Sequence, residues 1–69
     1  MTRGGHMRRA REAAGLTLRE LAERSGVAFS HIGALERDAR CGNIVTVELL
    51  ADALGLSIDE YTGHETKKD

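Results

Sequence analysis

Residues 18–37 read LRELAERSGVAFSHIGALER, and their spacing predicts two short helices that cross closely at a tight turn. Ala22 is small where the helices pass over each other, and Gly26 can adopt the positive φ angle that the turn needs. Ile32 is apolar where the second helix packs back onto the first. This segment therefore predicts a closely packed helix pair.

The flanking segments predict three further helices. Capping boxes, T-L-R-E from Thr17 and S-I-D-E from Ser57, open the second and fifth helices, and Asn43 is a good N-cap for the fourth. The expected helices run from His6 to Gly15, Leu18 to Ser25, Phe29 to Arg37, Ile44 to Gly55 and Ser57 to Gly63. The apolar positions expected to face inward in the fourth helix are Ile44, Val47, Leu50, Ala51 and Leu54.

The chain has 69 residues, no proline and one cysteine, which allows one small all-α domain. We expect residues 6–62 to form this domain, residues 1–5 to be a disordered arm or tag remnant, and residues 63–69 to be a disordered tail. So small a core supplies little net stability, and Cys41 cannot form an internal disulfide. Contacts with a second subunit would add stability to the small domain, so a homodimer is expected.

Charge and targeting signals narrow the function. The net charge is -1, but residues 1–40 carry eight Arg and Lys against five Asp and Glu, whereas residues 41–69 carry two against six. This asymmetry predicts one basic face. The sequence has no signal-peptide pattern and no apolar run of membrane length, so we expect a cytoplasmic protein without a membrane partner.

The sequence lacks the spacing patterns that are typical of metal sites, catalytic nucleophiles and phosphate-binding loops. No metal-binding pattern connects His6, His31, His64 and Cys41, and surface positions explain them better. No serine, cysteine or aspartate lies in a nucleophile motif, and Gly4-Gly5 is not a phosphate loop. We expect no enzymatic activity, no metal and no cofactor.

Three segments together resemble the phage repressor/Cro (Xre-type) family of helix-turn-helix DNA-binding domains: LTLRELAERSGV from Leu16, the Glu36-Arg37 pair, and VELLADALGLSIDEY from Val47. The resemblance covers nearly all of His6 to Tyr61. It implies a five-helix repressor/Cro-like bundle whose helices 2 and 3 form the helix-turn-helix. It also implies a transcriptional regulator, a repressor, that binds double-stranded DNA.

The resemblance implies the site residues. In the family, helix 3 enters the major groove, which gives the base-facing positions Phe29, Ser30, His31, Gly33 and Ala34. The expected phosphate-binding positions are Arg37, Arg40, Arg8, Arg19 and Asn43, the last at the amides that begin helix 4. Solvated surface charges are the alternative for each arginine.

A structural ion pair is also implied, between Arg11 in helix 1 and Glu36 at the end of helix 3. Both positions lie beside core faces, where an unpaired charge is costly. Two independently solvated charges are the alternative.

Helix 3 departs from the family pattern because it has no Arg, Lys, Asn or Gln between Ala28 and Leu35. Only Ser30 and His31 can hydrogen-bond to a base edge. In addition, Leu18 stands where the family often has glutamine. A second function therefore stays open, in which a small apolar surface of Phe29, Gly33 and Ala34 binds a protein partner.

Overall fold

The computed structural model describes residues 1–63, which contain five helices and no strand. The helices are α1 (Arg3–Ala13), α2 (Leu18–Ser25), α3 (Phe29–Glu36), α4 (Ile44–Leu54) and α5 (Ile58–Thr62). The predicted all-α, five-helix fold is thereby confirmed. The prediction for residues 64–69 of the tail lies outside the described residues, whereas Gly63 is the C-cap of α5 with a φ of 75°.

Local sequence signals set most helix ends. The Thr17 hydroxyl accepts the Glu20 N–H at 3.1 Å, and the Thr17 N–H donates to the Glu20 carboxylate at 2.8 Å. Ser57 and Glu60 form the second capping box in the same way. The Asn43 side chain accepts a backbone N–H in the first turn of α4. Each of these caps satisfies donors that a helix start leaves unpaired.

The start of α1 differs from the prediction. The helix begins at Arg3 rather than His6, because the Thr2 hydroxyl caps its first turn and the Gly4 N–H donates to Asp38 Oδ1 at 2.9 Å. Gly4 is buried against the end of α3. Residues 3 to 5 thus belong to the helical fold, and the expectation that they are disordered is wrong. Asp38 is remote in the sequence, so no local pattern indicates this contact.

Two smaller predictions also differ. α3 ends at Glu36 with Arg37 as its C-cap, one position earlier than expected. Ile44 was expected on the inward stripe of the fourth helix, but it is 61% exposed. It occupies the first position of α4, whose buried residues are Val47, Leu50 and Ala51.

The core lies where the five helices meet. α1 packs against α3 and α5, α2 packs against α3 and α4, and α4 packs against α5. The buried apolar side chains are Met7, Leu21, Val27, Ile32, Leu35, Val47, Leu50, Ala51 and Tyr61. The α2–α3 pair is thus packed onto this core, with α3 in contact with α1 and α2 in contact with α4.

Candidate nucleic-acid interface

The α2–α3 pair adopts the predicted crossing. Leu21 and Ile32 are fully buried, and Ala22 is half-buried beside them. Gly26 has a φ of 79°, and its N–H donates to the Ala22 carbonyl at 2.8 Å. The pair is a helix-turn-helix in which the turn residue Val27 is itself part of the core.

The N-terminal end of α3 is accessible to solvent. Phe29 is 46% exposed and Ser30 is exposed, while His31 and Ala34 are half-buried. Ala28, the N-cap, contributes no side-chain hydrogen bond. The free amides of this first turn therefore remain available, and Phe29 presents apolar surface next to them.

Gly33 does not belong to this exposed face. It is buried, and a Cβ built on it would lie 3.1 Å from Arg37 Nη1 and 3.7 Å from Leu18 Cδ1. Gly33 is thus covered in this structure, although the resemblance implies a base-facing position for it. The reason is that the Arg37 side chain folds back over α3 and covers it, together with Leu18 from α2.

The expected phosphate-binding residues have different surroundings. Arg37 and Arg40 are exposed, and neither forms an ion pair with a carboxylate within residues 1–63. Arg8 is exposed too, but its Nε lies 3.1 Å from the Glu12 carboxylate one turn along α1. Asn43 is exposed and uses its side-chain oxygen to cap α4. Among the expected phosphate-binding residues near α3, Arg37 and Arg40 thus combine exposure with the lack of an ion pair in the described part of the chain.

Arg19 makes a contact that the sequence did not indicate. Its guanidinium carbon lies 5.0 Å from the centroid of the Phe29 ring, a cation–π arrangement between α2 and the first residue of α3. The spacing of apolar residues describes each helix separately, so it could not reveal a contact between α2 and α3. The stack places a positive charge at the exposed end of α3.

Arg11 and Glu36 form the implied ion pair. Arg11 donates to both Glu36 oxygens, and its Nη1 donates to the Leu16 carbonyl at 2.8 Å. The hydrogen bond with Glu36 raises the pKa of Arg11, which keeps the guanidinium charged. Burial raises the pKa of the neighbouring Tyr61 hydroxyl as well. This network joins α1 to the end of α3 and fixes the orientation of that helix.

Other kinds of site find little support in the described residues. Residues 1–63 contain no group of three His, Cys, Asp or Glu side chains placed to hold a metal ion. Cys41 is an exposed free thiol. None of the described helices combines the length and apolarity needed to span a membrane. The α2–α3 surface is therefore the best-developed candidate site.

Comparison with known proteins agrees with this geometry. The family described as Helix-turn-helix matches residues 7–61. The chain is 33% identical over 66 residues to an immunity repressor protein of Bacillus phage phi105, which covers 96% of this chain and 46% of that protein. It is 39% identical over 54 residues to an uncharacterized HTH-type transcriptional regulator of Sinorhizobium fredii, which covers 78% of this chain and 70% of the relative.

The chain thus spans about half the length of the phage protein. No solved structure matches the chain significantly. The family match, the two relatives and the α2–α3 geometry agree with one another, and they show that this chain belongs to the helix-turn-helix family of the repressor/Cro type.

Proposed function

We propose that this protein is a DNA-binding transcriptional regulator, a repressor, that places α3 in the major groove. The observation that carries the proposal is the helix-turn-helix whose α3 exposes its N-terminal end. Arg37 and Arg40, which form no ion pair within residues 1–63, follow α3 in the sequence. The names of the two relatives, a repressor and a transcriptional regulator, support the same function.

Base contacts come from the exposed part of α3. Ser30 and His31 supply the hydrogen-bonding groups, while Phe29 and Ala34 supply apolar surface for a thymine methyl group. Gly33 is buried and has no side chain to contribute to this set. The side chains of α3 alone therefore offer few ways to discriminate among bases.

Phosphate contacts come from charges and helix ends. Arg37 and Arg40 supply positive side chains, and the N-termini of α2 and α4 supply backbone N–H groups with a favourable dipole. Arg8 contributes less because Glu12 neutralises its charge locally. Asn43 acts by capping α4 and so orienting those amides.

A two-fold dimer on a palindromic operator is the arrangement that suits so small a unit. One copy of α3 reads only a short stretch of DNA, and two copies related by a two-fold axis double the contacts. The half-sites would then lie about 10 bp apart or a multiple of that. Residues 3–63 supply the folded unit of each subunit.

A protein-binding module is the second candidate function. It is favoured by the 46% exposure of Phe29 and by the absence of Arg, Lys, Asn and Gln from α3. In that case the surface formed by Phe29 and Ala34 binds an apolar partner rather than a base pair.

A salt series separates the two functions. We expect the affinity for any duplex to fall steeply as salt rises, because phosphate contacts release counterions. Fluorescence anisotropy with a labelled random-sequence duplex measures this directly. Binding that is undetectable, or that does not respond to salt, would contradict DNA binding and favour the protein-binding module.

A further inference from the structure

We propose that Arg19 reads a guanine in the major groove and that the Phe29 ring holds it in position. Arg19 would then supply, from α2, the bidentate base contact that α3 lacks. This inference rests on the proposed function and revises the phosphate-binding role that the family resemblance implies for Arg19.

The first argument is the geometry of the stack. The 5.0 Å separation between Arg19 Cζ and the Phe29 ring centroid lies within the distance at which a cation and an aromatic face attract. Both residues are exposed, so the pair is accessible to a ligand. A cation–π contact uses the charge of the guanidinium and none of its N–H donors, and no hydrogen bond of the Arg19 side chain is seen within residues 1–63, so these groups can donate to a base.

The second argument is that no carboxylate competes for Arg19. Glu23, one turn later in α2, is the usual i,i+4 partner of an arginine, yet no ion pair joins the two within residues 1–63. The Glu20 carboxylate is held by the Thr17 N–H in the capping box. Arg19 instead lies over Phe29, so its charge is directed toward α3.

The third argument is the position of the platform. Phe29 is the first residue of α3, and the N-terminal residues of this helix are those that approach base edges in helix-turn-helix docking. A guanidinium anchored there lies at the end of α3 that approaches base edges, whereas Arg40 follows the opposite end of the helix. Guanine O6 and N7 are the acceptors that an arginine recognises in the major groove.

The test compares two charge deletions on the same helix. Arg19→Ala and Arg24→Ala each remove one exposed positive charge from α2, so any general electrostatic loss is similar in both. Phe29→Leu removes the aromatic ring and keeps apolar surface. The duplexes are those that the wild-type protein selects from a random pool, with each guanine of the motif replaced in turn, and circular dichroism verifies that each variant is folded.

For the wild-type protein, we expect replacement of one guanine in the motif to weaken binding about tenfold to a hundredfold. In Arg19→Ala the replacement of that guanine should change the affinity hardly at all. In Phe29→Leu the replacement of the same guanine should have a smaller effect than in the wild-type protein. Arg24→Ala should retain the wild-type effect.

Several results would overturn the inference. If Arg19→Ala weakens binding to every duplex by the same factor and leaves the motif unchanged, Arg19 binds phosphate, and the proposed function stands without this inference. If Phe29→Leu changes only a thymine position, the ring is not the platform. Failure of the folded wild-type protein to select any motif would contradict the proposed function itself.

Discussion

Arg11 and Glu36 meet edge to edge, with Arg11 Nε 2.8 Å from Glu36 Oε2 and Arg11 Nη2 3.0 Å from Glu36 Oε1. Their side chains are 11% and 5% exposed. Glu36 is the last residue of α3, and Arg11 lies in the last turn of α1. The pair therefore fixes the end of the proposed recognition helix to the rest of the domain.

Glu36→Gln should destabilise the domain strongly. The substitution leaves the charged Arg11 guanidinium buried without a carboxylate, and breaking such a pair costs about 3 kcal/mol. Urea unfolding measures the loss. Arg8→Ala is the matched control, because it breaks the exposed Arg8–Glu12 pair and should cost no more than about 0.5 kcal/mol. Equal losses in the two variants would contradict the structural role of Arg11 and Glu36.

Gly4→Ala should destabilise the domain, although glycine is a poor helix former. The new Cβ would lie 2.6 Å from the carbonyl oxygens of both Leu35 and Glu36, and backbone atoms cannot move aside cheaply. We expect a loss of about 1–3 kcal/mol.

Gly5→Ala, in the same turn of α1, is the control for that loss. Its Cβ would lie 2.8 Å from Cγ of the exposed Met1 side chain, which can rotate away. The substitution should therefore be neutral or stabilising by up to about 1 kcal/mol. A Gly4→Ala variant as stable as Gly5→Ala would contradict the packing of residues 3 to 5 on α3.

Asp38 should make stability depend on acidic pH. Hydrogen bonds from the Thr2 hydroxyl and the Gly4 N–H lower the pKa of Asp38 below its ordinary value of 3.8. The stabilisation is thus fully present above pH 3.8 and is lost as the pH falls through the lower, folded-state pKa. Asparagine tolerates the positive φ of 59° at this position, so Asp38→Asn removes the charge without new backbone strain.

Thermal unfolding of the wild-type protein and Asp38→Asn across this range checks the prediction. The wild-type advantage in Tm should shrink as the solution becomes more acidic than pH 3.8. An advantage that is unchanged or larger in acid would contradict the contact between Asp38 and the start of α1.

Arg37→Ala combined with Arg40→Ala should weaken binding to all duplexes alike. Losing two phosphate contacts should reduce the slope of log affinity against log salt by about two, because each contact contributes about one. Ser30→Ala should instead alter sequence preference and leave the slope unchanged. An unchanged slope in the double variant would contradict the proposal that Arg37 and Arg40 contact phosphates.

The sequence predicted the features that depend on neighbouring residues. The capping boxes at Thr17 and Ser57, the Asn43 cap and the turn at Gly26 all involve groups within one helical turn. The resemblance supplied the pairing of Arg11 with Glu36, which periodicity alone does not specify. These features were sufficient to predict the five helices and their order.

Contacts between distant residues were not predictable. The start of α1 depends on Asp38, the burial of Gly33 depends on how Arg37 folds back, and the position of Arg19 depends on Phe29 in another helix. Each requires the tertiary arrangement to be known. The differences consequently concentrate around α3, the helix on which the proposed function depends.

The central claim is that α3 reads DNA, and selection of duplexes from a random pool at near-physiological salt tests it most directly. The retained sequences should converge on a palindromic motif whose half-sites lie about 10 bp apart or a multiple of that. Retained sequences that share no motif, obtained with protein verified as folded, would contradict sequence-specific DNA binding by α3.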